Sequence, residues 1–184
     1  TLNNFNKSCN VDVFFALSHG VHRGVLKSGK SDDRILFLNK LKSNTPNIKF
    51  DIYGVDKVQP IWADHYFKTI SNAKMGLNLS RGDAIKYYSS DRITQIVGNG
   101  LVCLIDKKTG YENFFSKKEM VFYNSVSDLS EKIIKISSDE NLRRKIARNG
   151  KEKYMKYFNS TKVAEFIIEK ALDIKTNKKY FWHN

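Results

Sequence analysis

Short apolar runs that alternate with amphipathic segments constrain the fold of this chain more than any other feature of its sequence. The runs are VDVFFAL (11–17), IKFDIYG (48–54), KMGLNLS (74–80), LVCLID (101–106) and MVFYN (120–124). Their lengths are those of strands, and the first is apolar enough to be buried on both faces. Strands that alternate with helices predict an open parallel sheet covered on both faces, which is a doubly wound α/β fold.

The segments between these runs carry apolar residues at helical spacing. In SDDRILFLNKLKSN, Ser31 and two acids precede apolar residues at positions 35, 36, 38 and 41, the pattern of a capped amphipathic helix. The predicted helices cover residues 31–44, 63–73, 91–99, 125–138, 139–158 and 160–175.

The length of 184 residues suits one domain with a sizeable core. We expect a polar lead-in over residues 1–10, the domain over 11–172 and a C-terminal tail over 173–184. Because the chain begins with Thr and an Asn-rich stretch, we also expect it to be a piece of a longer protein. Cys9 and Cys103 lack metal-ligand spacing, and no apolar stretch reaches the roughly 18 residues of a membrane span. These features predict a cytoplasmic location without a disulfide framework or a metal site.

The net charge of +13, from 32 Lys and Arg against 19 Asp and Glu, predicts attraction to anions. Nucleic acid, phosphorylated metabolites and an acidic membrane face all fit such a charge. Basic and aromatic residues interleave in KEKYMKYF and KTNKKYFWHN, as they do in nucleic-acid-binding proteins. An amphipathic helix with Lys outside and Tyr or Phe inside produces the same letters by core packing, so nucleic acid is the less favoured partner. A peripheral membrane contact stays open.

Ligands of a doubly wound sheet bind beyond the carboxyl ends of its strands, so the loops there are candidate sites. The first such loop is SHGVHRGVLKSGK (18–30), whose glycines and basic side chains suit an anion. It matches neither of the Gly-rich nucleotide-binding motifs. An anion site and a flexible, solvated loop are therefore equally supported.

The stretch YYSSDRITQIVGNG (87–100) places two serines and an aspartate at the start of a predicted helix. Ser89, Ser90 and Asp91 can each cap that helix, but its unpaired N–H groups could hold an anion instead. The preceding SRGD (80–83) adds a second polar loop at the end of another predicted strand. If these loops converge with the first, they would form a pocket for a diphosphate.

The order of motifs in the second half of the chain is similar to that of a known family. YYSSDRITQIVGNG is followed by a strand, by GYENFF and by LRRKIARNGKEKYMKYFNSTK (142–162). This order resembles the C-terminal, nucleotide-sugar-binding half of the GT-B glycosyltransferases, especially the spore-maturation-like members. The similarity spans roughly residues 75–170.

The resemblance implies a Rossmann-like domain whose cleft binds a nucleoside-diphosphate sugar of the uridine or guanosine type, without a metal or other cofactor. An N-terminal domain that this chain lacks would hold the acceptor, so the isolated domain would bind donor without efficient transfer. Its basic groups and a helix N-terminus would stabilise the departing diphosphate. The residues that the resemblance assigns to the diphosphate are Arg23, Lys27, Ser89, Ser90, Asp91 and Arg92.

The remaining site residues follow from the same resemblance. Tyr53, Gly54 and Gln95 are assigned to the nucleoside and its ribose. Gln95 stands where relatives usually carry a glutamate, and an amide bonds ribose hydroxyls less strongly than a carboxylate. The residues assigned to sugar or loop contacts are Ser80, Arg81, Asp83 and Glu112. Two other functions stay open: a basic nucleic-acid-binding module, and a non-catalytic interaction domain related to glycosyltransferases.

Overall fold

A computed structural model describes residues 2–17 and 33–183, in which strands and helices alternate as the sequence predicts. The strands are β1 (Val11–Ala16), β2 (Phe50–Tyr53), β3 (Ala73–Asn78), β4 (Val102–Asp106) and β5 (Val121–Tyr123). The helices are α1 (Asp33–Asn44), α2 (Ala63–Ile70), α3 (Asp91–Gly98), α4 (Val126–Ser138), α5 (Glu140–Tyr157) and α6 (Ser160–Ala171). No helix in these two ranges is both long enough and apolar enough to cross a membrane.

The five strands form one sheet in the order β2-β1-β3-β4-β5, and every neighbouring pair is parallel. In the register of this sheet, Val13 of β1 lies opposite Met75 of β3, and Leu104 of β4 lies opposite Val121 of β5. The predicted Rossmann-like, doubly wound parallel sheet is confirmed. The chain leaves β1 toward one edge of the sheet and returns to β3 on its other side, so the strand order reverses between β1 and β3. Sheets of this kind bind ligands at such a reversal.

The two faces of the sheet carry separate hydrophobic cores. Phe14 and Phe15 are adjacent in β1 and point to opposite faces, as the period of a strand requires. Phe14 packs into the cluster that contains Ile93 of α3, whereas Phe15 packs into the cluster that contains Leu38 of α1 and Leu129 of α4. Burial on both faces explains why the adjacent residues of the first strand from Val13 to Ala16 are all apolar.

Residues 2–10, predicted as a polar lead-in, pack against the sheet. Phe5 and Cys9 are buried, and the buried Asn4 amide donates to the carbonyl oxygens of Ile70 and Ala73, each at 2.8 Å. Asn4 therefore satisfies backbone carbonyls of α2 and β3, whereas the other polar residues of this stretch, Asn3, Asn6, Lys7, Ser8 and Asn10, are exposed. Residues 2–10 therefore pack as part of the same domain as the sheet.

The C-terminal tail also packs back on the domain. Phe181 stacks on Tyr157 with ring centroids 4.5 Å apart, and Trp182 stacks on Phe158 at 5.5 Å. The Tyr180 hydroxyl donates to the Glu169 carboxylate at 2.7 Å. The aromatic residues of the basic C-terminal tail thus contact α5 and α6 of the same chain.

Replacing Gly54 with alanine is expected to lower the free energy of unfolding by about 1–3 kcal/mol. Gly54 follows β2 with φ of +74°, and an added Cβ would lie 2.2 Å from the Leu17 carbonyl oxygen, a backbone atom that cannot move aside cheaply. Gly82 has a similar φ of +66° with nothing within 4 Å of an added Cβ. Urea unfolding of Gly82→Ala therefore measures the backbone strain alone, about 1 kcal/mol. Equal losses in the two variants would contradict the predicted overlap at Gly54.

Candidate functional site

A cleft of about 470 Å³ lies at the carboxyl end of β1, between α2 and the beginning of α3. Its floor includes Ala16 and Leu17, where β1 ends, next to the reversal of the strand order. The volume lies in the range of small-molecule sites. The cleft is therefore where this fold places a ligand.

Asn78, the last residue of β3, organises the polar side of the cleft. Its side chain is 4% exposed, and its Oδ1 accepts from the Ser90 hydroxyl at 2.8 Å and from Arg92 Nη1 at 3.3 Å. Arg92 Nη1 also donates to the Leu79 carbonyl at 3.2 Å. The end of β3 therefore holds both residues in fixed positions beside the cleft.

Helix α3 begins at the cleft without a side-chain cap. Ser90 occupies the N-cap position, but its hydroxyl bonds to Asn78 and accepts no hydrogen bond from the first turn. In contrast, the Ser125 hydroxyl at the start of α4 accepts from the Asp128 N–H at 3.2 Å. Of the alternatives that the sequence left open, a side-chain cap by Ser90 does not form, and the Ser90 hydroxyl donates to the buried Asn78 oxygen instead. Within the described residues, the N–H groups of Asp91 and Arg92 have no acceptor, which suits an anion.

Arg92 adds a full positive charge to this end of α3. Its guanidinium packs over the Phe15 ring, 5.2 Å from the centroid. Burial lowers the pKa of Arg92, and repulsion from Arg34 lowers it further, although an arginine stays protonated at neutral pH. No carboxylate of the described residues forms an ion pair with Arg92. Among the residues that the structure describes, no carboxylate therefore neutralises this charge beside the cleft.

Aromatic side chains also line the cleft. Trp62 and Tyr88, which are 56% and 52% exposed, line it together with Phe67 and Tyr66. The Tyr66 ring packs edge-on against Phe14 at 5.4 Å, and burial raises the pKa of its hydroxyl. Exposed ring faces at a cleft can stack on flat ligand groups.

Contacts of the neighbouring residue Tyr87 hold the loop that carries Tyr88 in place. Tyr87 adopts φ of 60°, a strained value for a side chain of this size. Its N–H donates to the Thr109 carbonyl at 2.8 Å, its hydroxyl accepts from the Asn113 amide at 2.5 Å, and its ring packs on Phe114. These contacts hold Tyr88 at the rim of the cleft.

The structure brings part of the predicted site together. Ser90, Asp91, Arg92 and Gln95 all line the cleft. Ser89 is exposed and does not line the cleft, although its neighbours Tyr88 and Ser90 do. Arg23 and Lys27, assigned to the diphosphate, lie outside the described residues.

The residues assigned to the nucleoside at the end of β2 do not line the cleft. The Tyr53 ring is half-buried between Phe14, at 6.4 Å, and His65, at 6.2 Å. Gly54 lies against the Leu17 backbone, where it shapes the turn after β2. Both residues support the wall of the cleft rather than forming its surface.

The residues assigned to sugar or loop contacts also lie away from the cleft. Ser80 is half-buried and Arg81 and Asp83 are exposed, in a loop whose Gly82 N–H donates to the Asp33 carboxylate of α1 at 3.2 Å. Glu112 lies in a 3₁₀ turn after β4 and pairs with Lys107 at 3.7 Å. Such an exposed pair contributes little to stability.

Sequence reasoning missed Asn78 and the aromatic side of the cleft. The signal for Asn78 was a polar residue near the end of a predicted buried strand. The signal for Trp62 was an aromatic residue in PIWADHY, in the connection that follows the second strand. Neither pattern is specific by itself, because both also occur at plain strand ends and in ordinary loops.

The sequence profile of a family described as glycosyl transferase-like matches residues 34–169. This match covers more than half of the chain, so the chain belongs to the glycosyl transferase-like family. No curated protein matches the chain.

Solved structures show which glycosyltransferase fold this is. TarM from S. aureus superposes with a TM-score of 0.63 at 14% identity, over 91% of this chain and 35% of TarM. HepE from Anabaena, solved in complex with UDP, superposes with a TM-score of 0.65 at 12% identity, over 90% of this chain and 50% of HepE. The C-terminal domain of the group 1 glycosyl transferase LpcC from Francisella tularensis superposes with a TM-score of 0.57 at 10% identity, over 84% of this chain and 89% of the LpcC domain. The predicted fold, the C-terminal domain of a GT-B glycosyltransferase, is confirmed, and the chain spans only 35% and 50% of TarM and HepE.

Proposed function

We propose that this chain is the donor-binding domain of a glycosyltransferase and that it binds a nucleoside-diphosphate sugar in the cleft between α2 and α3. One observation carries the proposal: the N-terminus of α3, which has no side-chain cap, and Arg92, which pairs with no carboxylate of the described residues, meet at the cleft where the strand order reverses. Helix N-terminal N–H groups and a guanidinium both favour phosphate oxygens.

The diphosphate would lie at the beginning of α3. The N–H groups of Asp91 and Arg92 and the Arg92 guanidinium supply donors, and Asn78 and the Leu79 carbonyl hold that guanidinium in place. Because these donors are fixed before the ligand arrives, they need little reorganisation when negative charge develops on the leaving nucleoside diphosphate. The Asp91 carboxylate lines the same cleft and would have to point away from the phosphates.

The nucleoside would lie against the aromatic side of the cleft. Stacking of a base on Trp62 or Tyr88 contributes about 1–3 kcal/mol by comparison with other base-stacking sites. Gln95 lines the cleft one turn into α3, where its amide can bond ribose hydroxyls. The complex of HepE with UDP supports a uridine nucleotide over the guanosine alternative.

The acceptor hydroxyl would come from a second domain, because this chain supplies the leaving-group side of the reaction. Isolated, it would bind donor and transfer sugar poorly. No group of three His, Cys, Asp or Glu able to hold a metal is found in residues 2–17 and 33–183, and metal-independent transfer is part of this proposal. So is a reducing, cytoplasmic location, which the two buried and unpaired cysteines, Cys9 and Cys103, support.

Calorimetric titration with UDP, GDP and ADP tests the donor proposal. We expect UDP or GDP to bind, and uridine alone to bind more weakly because it lacks the phosphates that α3 would hold. No binding by any nucleotide at millimolar concentration would refute the proposal and leave a folded, non-catalytic interaction domain. Tight binding of an oligonucleotide with a steep salt dependence, in place of nucleotide binding, would favour the nucleic-acid module instead.

A further inference from the structure

Asn78 is a neutral acceptor for two donors, one of which a carboxylate would bind more strongly. Its side chain is 4% exposed and lies on the face of the sheet that α3 covers, where Gly76 of the same strand packs against Ile96. Its Oδ1 accepts from Ser90 and from Arg92. An aspartate in this position would form an ion pair with the guanidinium, because charge-assisted hydrogen bonds are the stronger ones. The amide thus holds Arg92 without cancelling its charge.

The other contacts of the Arg92 guanidinium are also with neutral groups. They are the Leu79 carbonyl at 3.2 Å and the Phe15 ring at 5.2 Å from its centroid. Burial lowers the pKa of Arg92 and repulsion from Arg34 lowers it further, so a second positive charge lies near this guanidinium. A bound anion offsets such repulsion. The end of β3 therefore keeps the Arg92 charge available to a ligand.

Asn78 also determines what the Ser90 hydroxyl does at the beginning of α3. A serine at an N-cap position ordinarily accepts from the second or third N–H of its helix, as Ser125 does at α4. The Ser90 hydroxyl donates to the Asn78 oxygen at 2.8 Å and accepts nothing from the first turn of α3. Without that oxygen, Ser90 would be free to cap the helix and would occupy the N–H groups that a phosphate needs.

We propose that Asn78 is the positioning residue of the diphosphate site and that its neutral amide keeps both the Arg92 charge and the α3 N–H groups free for the donor, an inference that rests on the proposed function for the identity of the ligand. Residue 78 then needs to be an acceptor without charge. A carboxylate there cancels Arg92, and a side chain without an acceptor releases Ser90 to cap α3.

Calorimetric titration of Asn78→Asp tests the need for a neutral acceptor, with UDP, or with GDP if the unsubstituted chain binds that nucleotide. Aspartate has nearly the shape of asparagine and accepts from the same donors, but its charge pairs with Arg92. We expect binding to weaken about 10- to 100-fold, the range for loss of a charge-assisted hydrogen bond.

Asn99→Asp is the matched control for the added charge. Asn99 is also buried, with 7% exposure, and it follows the last residue of α3. A helix of this length separates the two positions by about 12 Å, more than the distance over which physiological salt screens a charge. Binding of the nucleoside diphosphate should therefore weaken less than about threefold.

Asn78→Ala tests the role of the amide in holding Ser90, and it does so without adding a charge. Binding of the nucleoside diphosphate should weaken about 3- to 10-fold, because a serine cap stabilises a helix by about 1 kcal/mol and the ligand has to displace it. The double variant Asn78→Ala, Ser90→Ala should recover part of this loss, since alanine cannot cap. Uridine lacks the phosphates and should bind all of these variants as it binds the unsubstituted chain.

Two results would overturn the role of Asn78 while the proposed function stands. One is a nucleoside diphosphate that binds Asn78→Asp as tightly as it binds the unsubstituted chain. The other is a parallel loss of uridine and diphosphate affinity in Asn78→Ala without recovery in the double variant, which would show that Asn78 only maintains the shape of the cleft. If the unsubstituted chain binds no nucleotide at millimolar concentration, the proposed function fails and the role of Asn78 fails with it.

Discussion

Replacing Arg143 with methionine is expected to lower the free energy of unfolding by about 3–5 kcal/mol. Arg143 lies on α5 with its side chain 0% exposed. Its Nη1 donates to the Asn4 carbonyl at 2.8 Å, its Nη2 to the Lys7 carbonyl at 3.1 Å, and its guanidinium also pairs with Glu140. Methionine fills a similar volume but leaves the carbonyls of Asn4 and Lys7 without this donor, and such orphaned groups keep their desolvation cost.

Arg144→Met is the matched control for this loss. Arg144 follows directly on α5 and pairs with the same Glu140 at 2.9 Å, but its side chain is partly exposed and it holds no backbone carbonyl. Urea unfolding at neutral pH should show a loss below about 1 kcal/mol for this variant. Equal losses for Arg143→Met and Arg144→Met would mean that the hydrogen bonds from Arg143 to the Asn4 and Lys7 carbonyls do not stabilise the fold.

The strands and helices could be predicted from the sequence because their signals are local. The adjacent apolar residues of β1, which is buried on both faces, and the helical spacing in α3 and α4 are patterns within single short segments. The packing of the two termini could not be predicted in this way. Asn4 reads as a solvated residue, yet it bonds carbonyls about seventy positions away, and only the assembled fold brings those groups together.

The candidate site could also be predicted from the sequence only in part. The location of the cleft follows from the alternation of strands and helices, because parallel strands place their carboxyl ends at one edge of the sheet. The partners of individual side chains do not follow from it. A serine before a helix predicts a cap, but the Ser90 hydroxyl donates its hydrogen bond to Asn78, twelve residues upstream. Trp62 lies in a connection without apolar periodicity, so no pattern marked it.

Replacing Arg92 with glutamine is expected to weaken binding of the nucleoside diphosphate about 10- to 100-fold. Charge-assisted hydrogen bonds contribute about 1.5–3 kcal/mol, and tenfold in affinity corresponds to about 1.4 kcal/mol. Glutamine keeps a polar group near Asn78 but removes the positive charge that Arg92 places beside the cleft at the start of α3. Arg148→Gln on α5 removes the same charge far from the cleft, over the Phe5 ring, and should leave affinity within about twofold, as expected for a remote charge screened by salt.

Arg92 also supports the Leu79 carbonyl, so a loss of affinity needs to be separated from a loss of structure. Uridine provides that separation: it would occupy the aromatic side of the cleft without reaching the guanidinium, so its weaker affinity should be the same in Arg92→Gln and in the unsubstituted chain. Arg92→Lys should recover part of the nucleotide affinity, because the charge returns without the two-pronged geometry of the guanidinium. If uridine and the diphosphate weaken equally, Arg92 acts on the shape of the cleft rather than on the phosphates. If neither weakens beyond Arg148→Gln, the diphosphate does not lie at α3.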